Sequence, residues 1–535
     1  MGLLFWNQGI KFLLGVVALG CLMFYPEVSF AAENGENIVQ QSTNNEIFLA
    51  KVKENGKWGY IDQTGRTIIP IVFNDVGDFS SGIAKVKLNG KYGYYNRTGK
   101  EIIPAIYDEL GDIEGGMIWA KFKGKYGYFD TLGQLVIPFE FDDFVGFKDD
   151  LFLLKKNKNW QYYNKTGQKA FEGTYKNASF FYNGLALVSQ DDKYGYINKK
   201  GEIVIPYQYK SANRFSEGLA AVRENGKWGV SNKEGKMVIK PQFSAWVYNF
   251  DDGIATIKDG GKYKYIDKKG ELLCEADFDE VYPFNGEIAE VRKKVSKFCW
   301  GGFLLTAAMG SIVDHPAPNT SVRRIEIDQN DLTTQKQKRG YIDKKGDFVV
   351  STKNDQVDKF HGGIVRVVTD GKSGYMNIKG EYIIPAQYDA ILGFSEGVVG
   401  AGKDKKWGYV DLKGNEVIPF KYDMVSDFSE GLAAVKVLDK WACINKEGTQ
   451  IVRLKYNAIN GFSEGVTTAK INNAWVILDT AGNTIMSENT AIEDMTYSKN
   501  GLIQFKENKK WGYMNHQGDK VIEAKYDSVT DFLKR

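Results

Sequence analysis

Lys57-Trp58-Gly59-Tyr60-Ile61-Asp62, followed by Gln63-Thr64-Gly65, is the stretch on which the fold turns. It returns as Lys227-Trp228-Gly229, Lys406-Trp407-Gly408-Tyr409 and Lys510-Trp511-Gly512-Tyr513, with softened copies such as Lys91-Tyr92-Gly93-Tyr94 and Lys193-Tyr194-Gly195-Tyr196. With the central aromatic as position zero, the slot falls at 58, 92, 126, 160, 194, 228, 263, 339, 373, 407, 441, 475 and 511. The spacing is 34 throughout, except 35 from 228 to 263, 76 from 263 to 339 and 36 from 475 to 511. Self-similarity at a fixed period of roughly 20–50 residues marks a solenoid, propeller or array. It overrides the three or four domains that 535 residues would otherwise suggest.

Each unit reads as a β-meander. Leu219 to Arg223 forms a short strand after the turn Phe215-Ser216-Glu217-Gly218, and Asn225-Gly226 supplies the two positive φ values of a type I′ hairpin turn. Trp228 to Ser231 is the second strand and Lys236 to Ile239 the third. The third strand often ends Ile-Pro, as at Pro70, Pro104 and Pro419, and proline cannot donate a ladder bond, so the strand is expected to stop there or lie at an edge. A second aromatic follows three residues later, as at Phe73, Tyr107 and Tyr526.

One unit of this length cannot bury its own apolar face, so neighbours must stack. The slot aromatics Trp58, Tyr92, Tyr126, Trp160, Tyr194, Trp228, Tyr263, Trp407, Trp441, Trp475 and Trp511 are the natural filling, with Arg339 and Ser373 as exceptions. The functional alternative is a ladder of exposed rings that stack on sugars or peptides. Seven residues after the slot stands glycine in all thirteen units, preceded at three residues by Asp or Asn. Asn fills that place in seven units and brings no charge to a metal, so calcium is not the reading. Asp and Asn share an oxygen that accepts backbone N–H groups in an Asx turn, which the glycine closes in the left-handed region.

The 76-residue gap holds one unit plus 42 extra residues in a hairpin loop, residues 293–336. Its stretch from Phe298 to Val313 carries no charge and includes Trp300, Phe303, Leu304 and Leu305. Two expectations follow: a short element packed back on the repeats, or a loop that docks on a partner or makes peripheral contact with a membrane surface through 298–313.

At the N-terminus, Lys11, an apolar run from Phe12 to Tyr25 and Ser29-Phe30-Ala31 have the order of a secretory signal cleaved after Ala31. Residues 32–46 read as a linker, 47–292 and 337–535 as two blocks of repeats. Competing readings of the leader are a lipoprotein signal at Cys21 or an uncleaved anchor. All three place the repeats outside a membrane: extracellular, periplasmic or associated with the cell envelope.

Charge excludes a nucleic-acid role: 70 basic and 67 acidic residues leave a net +3, with no basic field. Gly393-Phe394-Ser395-Glu396-Gly397 and Gly461-Phe462-Ser463-Glu464-Gly465 match a hydrolase pattern, but they are the recurring turn before a strand rather than a strand–elbow–helix. His315, His361 and His516 accompany no metal or acid–base motif. No catalytic, metal or cofactor residue is nominated.

The run (F)-S-E-G-x-A-x-V…N-G-K-W-G-Y-I-(D/N)-x-x-G-x-x-(V/I)-I-P…Y-D resembles the WG-repeat (KWG) family of bacterial proteins, over residues 47–532 apart from the insertion. The resemblance implies a repeat scaffold without an assigned activity. The expected architecture is all-β: an open solenoid of stacked meanders. Thirteen units exceed the roughly four to eight blades of one propeller, so the alternative is two β-propellers. The expected function is a non-catalytic exported scaffold that binds a protein partner, with a glycan or cell-wall-binding module as the alternative and a hydrolase last.

Overall fold

The computed structural model describes residues 48–259, 261–276, 278–294 and 337–534. The leader, the linker to residue 46 and Trp300, Phe303, Leu304 and Leu305 lie outside them. Each repeat forms an antiparallel meander, and the thirteen sheets among the described residues are numbered here in chain order. Sheet 2 is typical, with strands Asp75–Ser80, Ile83–Leu88, Lys91–Asn96 and Glu101–Tyr107 in that order across the sheet. The unit thus has four strands where the sequence suggested three. The extra one is the stretch before the Ser-Glu-Gly turn, whose polar and glycine-rich composition hides its pairing: Asp75 lies opposite Lys87 and Val76 opposite Val86. Hairpin turns between second and third strands follow the predicted chemistry, with Asn225 at φ 48° and Gly226 at φ 80°.

An open solenoid is ruled out by the first sheet. Its strands are Phe48–Glu54, Lys57–Asp62 and Thr67–Phe73, and the first of them pairs with Ser528–Val529 and Leu533–Lys534 from the other end of the chain. Val52 faces Val529, and Leu49 faces Leu533. Thr530 N–H donates to the Lys51 carbonyl at 3.0 Å and Asp527 N–H to the Lys53 carbonyl at 2.7 Å. These repeat bonds made within the array, such as Asp108 N–H to Lys121 carbonyl at 2.9 Å. The packing agrees. An open row of thirteen sheets has twelve interfaces, but the described residues form thirteen apolar clusters, one between each successive pair and one between sheets 13 and 1. The closing cluster joins Tyr513, Ile522, Tyr526 and Phe532 to Ala50, Val52 and Ile61. The architecture is therefore the propeller alternative, but as one closed ring of thirteen blades rather than two propellers. Closure leaves neither end sheet with an exposed apolar face.

The third and fourth strands explain why Trp-Gly and Ile-Pro occur together. Trp58 pairs with Phe73 and Tyr60 with Ile69, so two extra residues bulge from the fourth strand opposite Gly59. A Cβ on Gly59 would lie 2.5 Å from the Ile69 carbonyl oxygen. Pro70 sits in the bulge, where no ladder donor is needed, and the strand runs on to Phe73 rather than ending at the proline. Four units lack the glycine, and in two of them the bulge shrinks. Lys264 pairs regularly with Glu275 and that strand has no proline, while around Val476 only one extra residue remains. Around Gln161 and Ala442 the full spacing is kept.

The insertion leaves sheet 8 between Ile288–Lys294 and Gln337–Asp343, whose last pair is Lys294 opposite Gln337.

Candidate functional site

Most recurring side chains are committed to joining one blade to the next. The ring that fills the core is the second aromatic of Lys-Trp-Gly-Tyr. Tyr60, Tyr196, Tyr409 and Tyr513 are fully buried, and each stacks edge-on or tilted against the phenylalanine of the next blade's first strand or turn. Their hydroxyls donate to a carbonyl seventeen residues on: Tyr60 to Gly77 at 2.6 Å, Tyr196 to Asn213 at 2.7 Å and Tyr513 to Thr530 at 2.6 Å. Burial pushes the Tyr196, Tyr409 and Tyr513 phenols far above their ordinary pKa, so they remain donors. Tyr128 is the exception. In sheet 4 Gly146 pairs with Leu153, whereas in sheet 2 the corresponding residue between Val76 and Phe79 is unpaired, and the Tyr128 hydroxyl is buried without a partner.

The slot aromatics sit shallower. Trp228 and Trp475 are buried, but Trp58, Tyr92, Tyr126, Trp160, Tyr194, Tyr263, Trp407, Trp441 and Trp511 are only half-buried. A lysine on the adjacent strand lies over many of these rings. Lys53 stands 5.5 Å from the Trp58 centroid, Lys155 5.3 Å from Trp160 and Lys506 5.7 Å from Trp511. Such cation–π contacts cover the ring face that a sugar would need. Arg339 fills its slot by donating to Glu290 at 3.0 Å and to the Val357 carbonyl at 3.0 Å, while Ser373 is simply buried.

The flanking charges are also engaged. The lysine before the slot pairs with the aspartate that opens the next repeat: Lys125–Asp142 and Lys372–Asp389 at 2.5 Å, Lys406–Asp423 at 2.7 Å, and Lys91–Asp108. The second carboxylate oxygen accepts a hairpin N–H, as from Asn157 to Asp142 at 2.9 Å. At the closure, Lys510 pairs with Asp527, which accepts Gly56 N–H across the chain ends. Hydrogen bonds from these lysines hold the aspartates below the usual carboxylate range.

The Asx-x-x-Gly turns are built as read. Asp62 Oδ1 accepts Thr64 and Arg66 N–H at 3.0 Å, and Gly65 has φ 85°. All thirteen glycines of this place have φ between 77° and 88°. Among the described residues no group of three or more His, Cys, Asp or Glu side chains could hold a metal ion.

The Ser-Glu-Gly turns strap neighbours together. Ser216 Oγ donates to the Phe250 carbonyl at 2.6 Å and Ser395 Oγ to the Phe428 carbonyl at 2.6 Å. Glu430 accepts the N–H groups of Glu464 and Gly465 at 2.6 and 2.9 Å. At the last strap Ser498 Oγ touches both His516 Nε2 at 2.6 Å and Glu464 at 2.7 Å. The same imidazole nitrogen faces serine and glutamate, and Ser498 is 1% exposed, so the hydroxyl is closed to substrate.

What remains on the surface is not shared by all blades. In the first two residues of the outer strand, sheets 5 to 9 present an unbroken apolar arc. Ile203, Val204, Val238, Leu272, Leu273, Phe348 and Tyr382 are 38–57% exposed. The corresponding first residues in sheets 10 to 13 and 1 and 2 are Glu416, Gln450, Thr484, Lys520, Thr67 and Glu101, with Leu135 of sheet 3 apolar and exposed. Among second residues Val417, Ile485 and Val521 are also exposed, so the continuous feature of sheets 5 to 9 is the apolar first residue. Between sheets 7 and 8 the arc dips into a cleft lined by Phe278, Phe348, Glu275, Lys293 and Lys353. The two phenylalanine rings meet edge-on at 5.6 Å. Sequence reading passed over this arc because single exposed apolar residues are ordinary; the signal was the same slot filled in five adjacent units.

The model of the WG-containing repeat family matches residues 58–92, 92–126, 126–160, 162–194, 194–228, 228–263, 265–294, 340–372, 374–407, 407–441, 441–475 and 511–534. No curated protein matches. Among solved structures, the extracellular domain of the hybrid two-component system BT3049 from B. thetaiotaomicron is similar at 10% identity, with 88% of this chain and 69% of that one covered and a TM-score of 0.26. Kluyveromyces lactis Hsv2p is similar at 10% identity over 42% of this chain and 94% of its own, with a TM-score of 0.26. Scores this low carry no argument about function.

Proposed function

The chain belongs to the WG-repeat family, and on that premise we propose that it is a non-catalytic, exported platform that binds a protein partner at the cell envelope. The observation that supports this most is the apolar arc of sheets 5 to 9. Monomeric proteins rarely expose contiguous apolar surface, and such patches mark interaction sites. The arc follows neighbouring blades, so its complement is an extended apolar ridge. The Phe278–Phe348 cleft offers a socket for one anchoring side chain of the partner. The insertion leaves sheet 8 at the hairpin end, where Lys293 lines the cleft, while Phe348 lies at the other end of the strands beside Ile342.

The recurring polar residues support a passive role. Tyrosine hydroxyls, Ser-Glu-Gly turns and Lys–Asp pairs are held in bonds between blades and are not free to act on a substrate. Export rests on the sequence of the leader.

The test is chemical cross-linking of the intact protein in envelope extract, read by mass spectrometry, with three variants: Phe348→Asp, Leu272→Asp, and residues 295–336 replaced by an Asn-Gly turn. The expected outcome is one partner cross-linked to sheets 5 to 9 and lost in both Asp variants. A partner that cross-links elsewhere and survives both substitutions refutes the reading. Loss only in the loop-replaced variant moves the site to the insertion.

A further inference from the structure

Trp246 and Tyr248 take no part in the recurring contacts between second, third and fourth strands. From Phe243 to Phe250 the chain takes seven steps, where Tyr209 to Phe215 takes six. This one extra residue is the source of the 35-residue spacing after slot 228. It reduces the first strand of sheet 7 to a single bridge, Val247 to Ile257, with Tyr248 N–H donating to the Thr256 carbonyl at 2.9 Å. Val247 turns inward and is fully buried; Trp246 and Tyr248, two residues apart, are each 51% exposed. Trp246 alone among the described tryptophans is more than half exposed.

Trp246 rests on Trp228, ring centroids 4.7 Å apart, which fixes one face and leaves the other outward. Cations lie against two other surface tyrosines: Tyr182 is held between Lys148 and Arg214, and Tyr282 lies against Arg292. Phe348 and Tyr382, also exposed, belong to the apolar arc. Among the described residues no cation lies over Trp246 or Tyr248. The run from Pro241 to Phe250 has no charged residue in a chain that is 26% charged, and its polar groups are Gln242, Ser244 and Asn249. The Asn249 Oδ1 atom in the same run is buried and makes no hydrogen bond.

We propose that Trp246 and Tyr248 form a carbohydrate subsite for a neutral pyranose of an oligosaccharide. Uncharged aromatic faces stack on the C–H face of a sugar ring, and neighbouring amide and hydroxyl groups exchange hydrogen bonds with its hydroxyls. A charged ligand finds no counter-charge in the run. The subsite lies on the first strand of sheet 7, the opposite edge from the apolar arc, so it stands or falls apart from the protein-binding reading.

Isothermal titration of the full chain with cellohexaose, chitohexaose, xylohexaose and decaproline tests it. The expected result is saturable binding of at least one oligosaccharide, weakened about tenfold or more in Tyr248→Ala. Binding should vanish in the Trp246→Ala/Tyr248→Ala double variant and persist in Leu438→Ala, an exposed residue of sheet 11. Thermal melts check that the loss of Trp246, which covers Trp228, leaves the fold in place; Tyr248→Ala carries the test if they do not. No saturation by any oligosaccharide, binding unchanged in Tyr248→Ala, or preference for decaproline overturns the proposal.

Discussion

Tyr196→Phe and Tyr128→Phe delete the same oxygen from equivalent buried rings, yet their effects should differ in sign. Tyr196 donates at 2.7 Å to the Asn213 carbonyl, and both residues are buried. Removing the hydroxyl forfeits a net hydrogen bond and leaves that carbonyl without its donor, about 1–3 kcal/mol in all. The Phe215 ring, 4.7 Å away, still packs against the new phenylalanine, so little else changes. Tyr128 is 2% exposed, and its hydroxyl is already unpartnered. Deleting it removes a desolvated group that returns nothing, so Tyr128→Phe should range from neutral to about 1 kcal/mol stabilising. Repeat arrays need not unfold in one step, so a global midpoint is not enough. Native-state hydrogen exchange should show faster opening in sheets 5 and 6 for Tyr196→Phe, and unchanged or slower opening in sheets 3 and 4 for Tyr128→Phe. Equal losses in both would refute the account of the tyrosine as an inter-blade strut whose value lies in the carbonyl it reaches.

Two further outcomes follow from the turns and the ion pairs. Gly414 has φ 82° with nothing closer than 3.5 Å to a new Cβ, so Gly414→Ala should cost only the backbone strain, about 1 kcal/mol. Gly99 has φ 83°, but its Cβ would lie 2.1 Å from the Ile68 carbonyl of the preceding blade, so Gly99→Ala should cost about 3 kcal/mol or more by thermal or urea unfolding. The Lys–Asp pairs set the acid response. Their aspartates have folded-state pKa values held below 3.8, so they contribute stability above that value and lose it as pH falls through the lower folded value. The melting temperature should fall on acidification below about pH 4, and by less in Lys372→Met, where one pair is already gone.

Local chemistry was legible from the sequence. An Asx turn or an Asn-Gly hairpin is decided within five residues, so Asp62 to Gly65 and Asn225-Gly226 could be read as they are built. What joins distant residues was not. Gly59 recurs after the slot, but the reason, a fourth-strand bulge through Pro70, depends on register between strands. The slot tryptophan drew attention because it is large, while the tyrosine two residues on carries the buried core and the bond to the next blade. Trp246 was missed although the 35-residue spacing pointed to it. Closure was the least legible feature of all. The pairing of Val52 with Val529 spans almost the entire chain, and ring or row depends on small rotations summed over thirteen blades.

That closure is the central claim, and a disulfide tests it directly. Facing residues of an antiparallel pair lie about 4.5–5.5 Å apart at Cα, within reach of a disulfide. Val52→Cys and Val529→Cys should therefore form an intramolecular bond in the folded protein under mild oxidation, identified by peptide mapping. A closed ring predicts that the 52–529 bond forms with the thermal transition maintained or raised. Free thiols at both positions in the folded protein, or cross-links only between molecules, would contradict the ring and restore the open array.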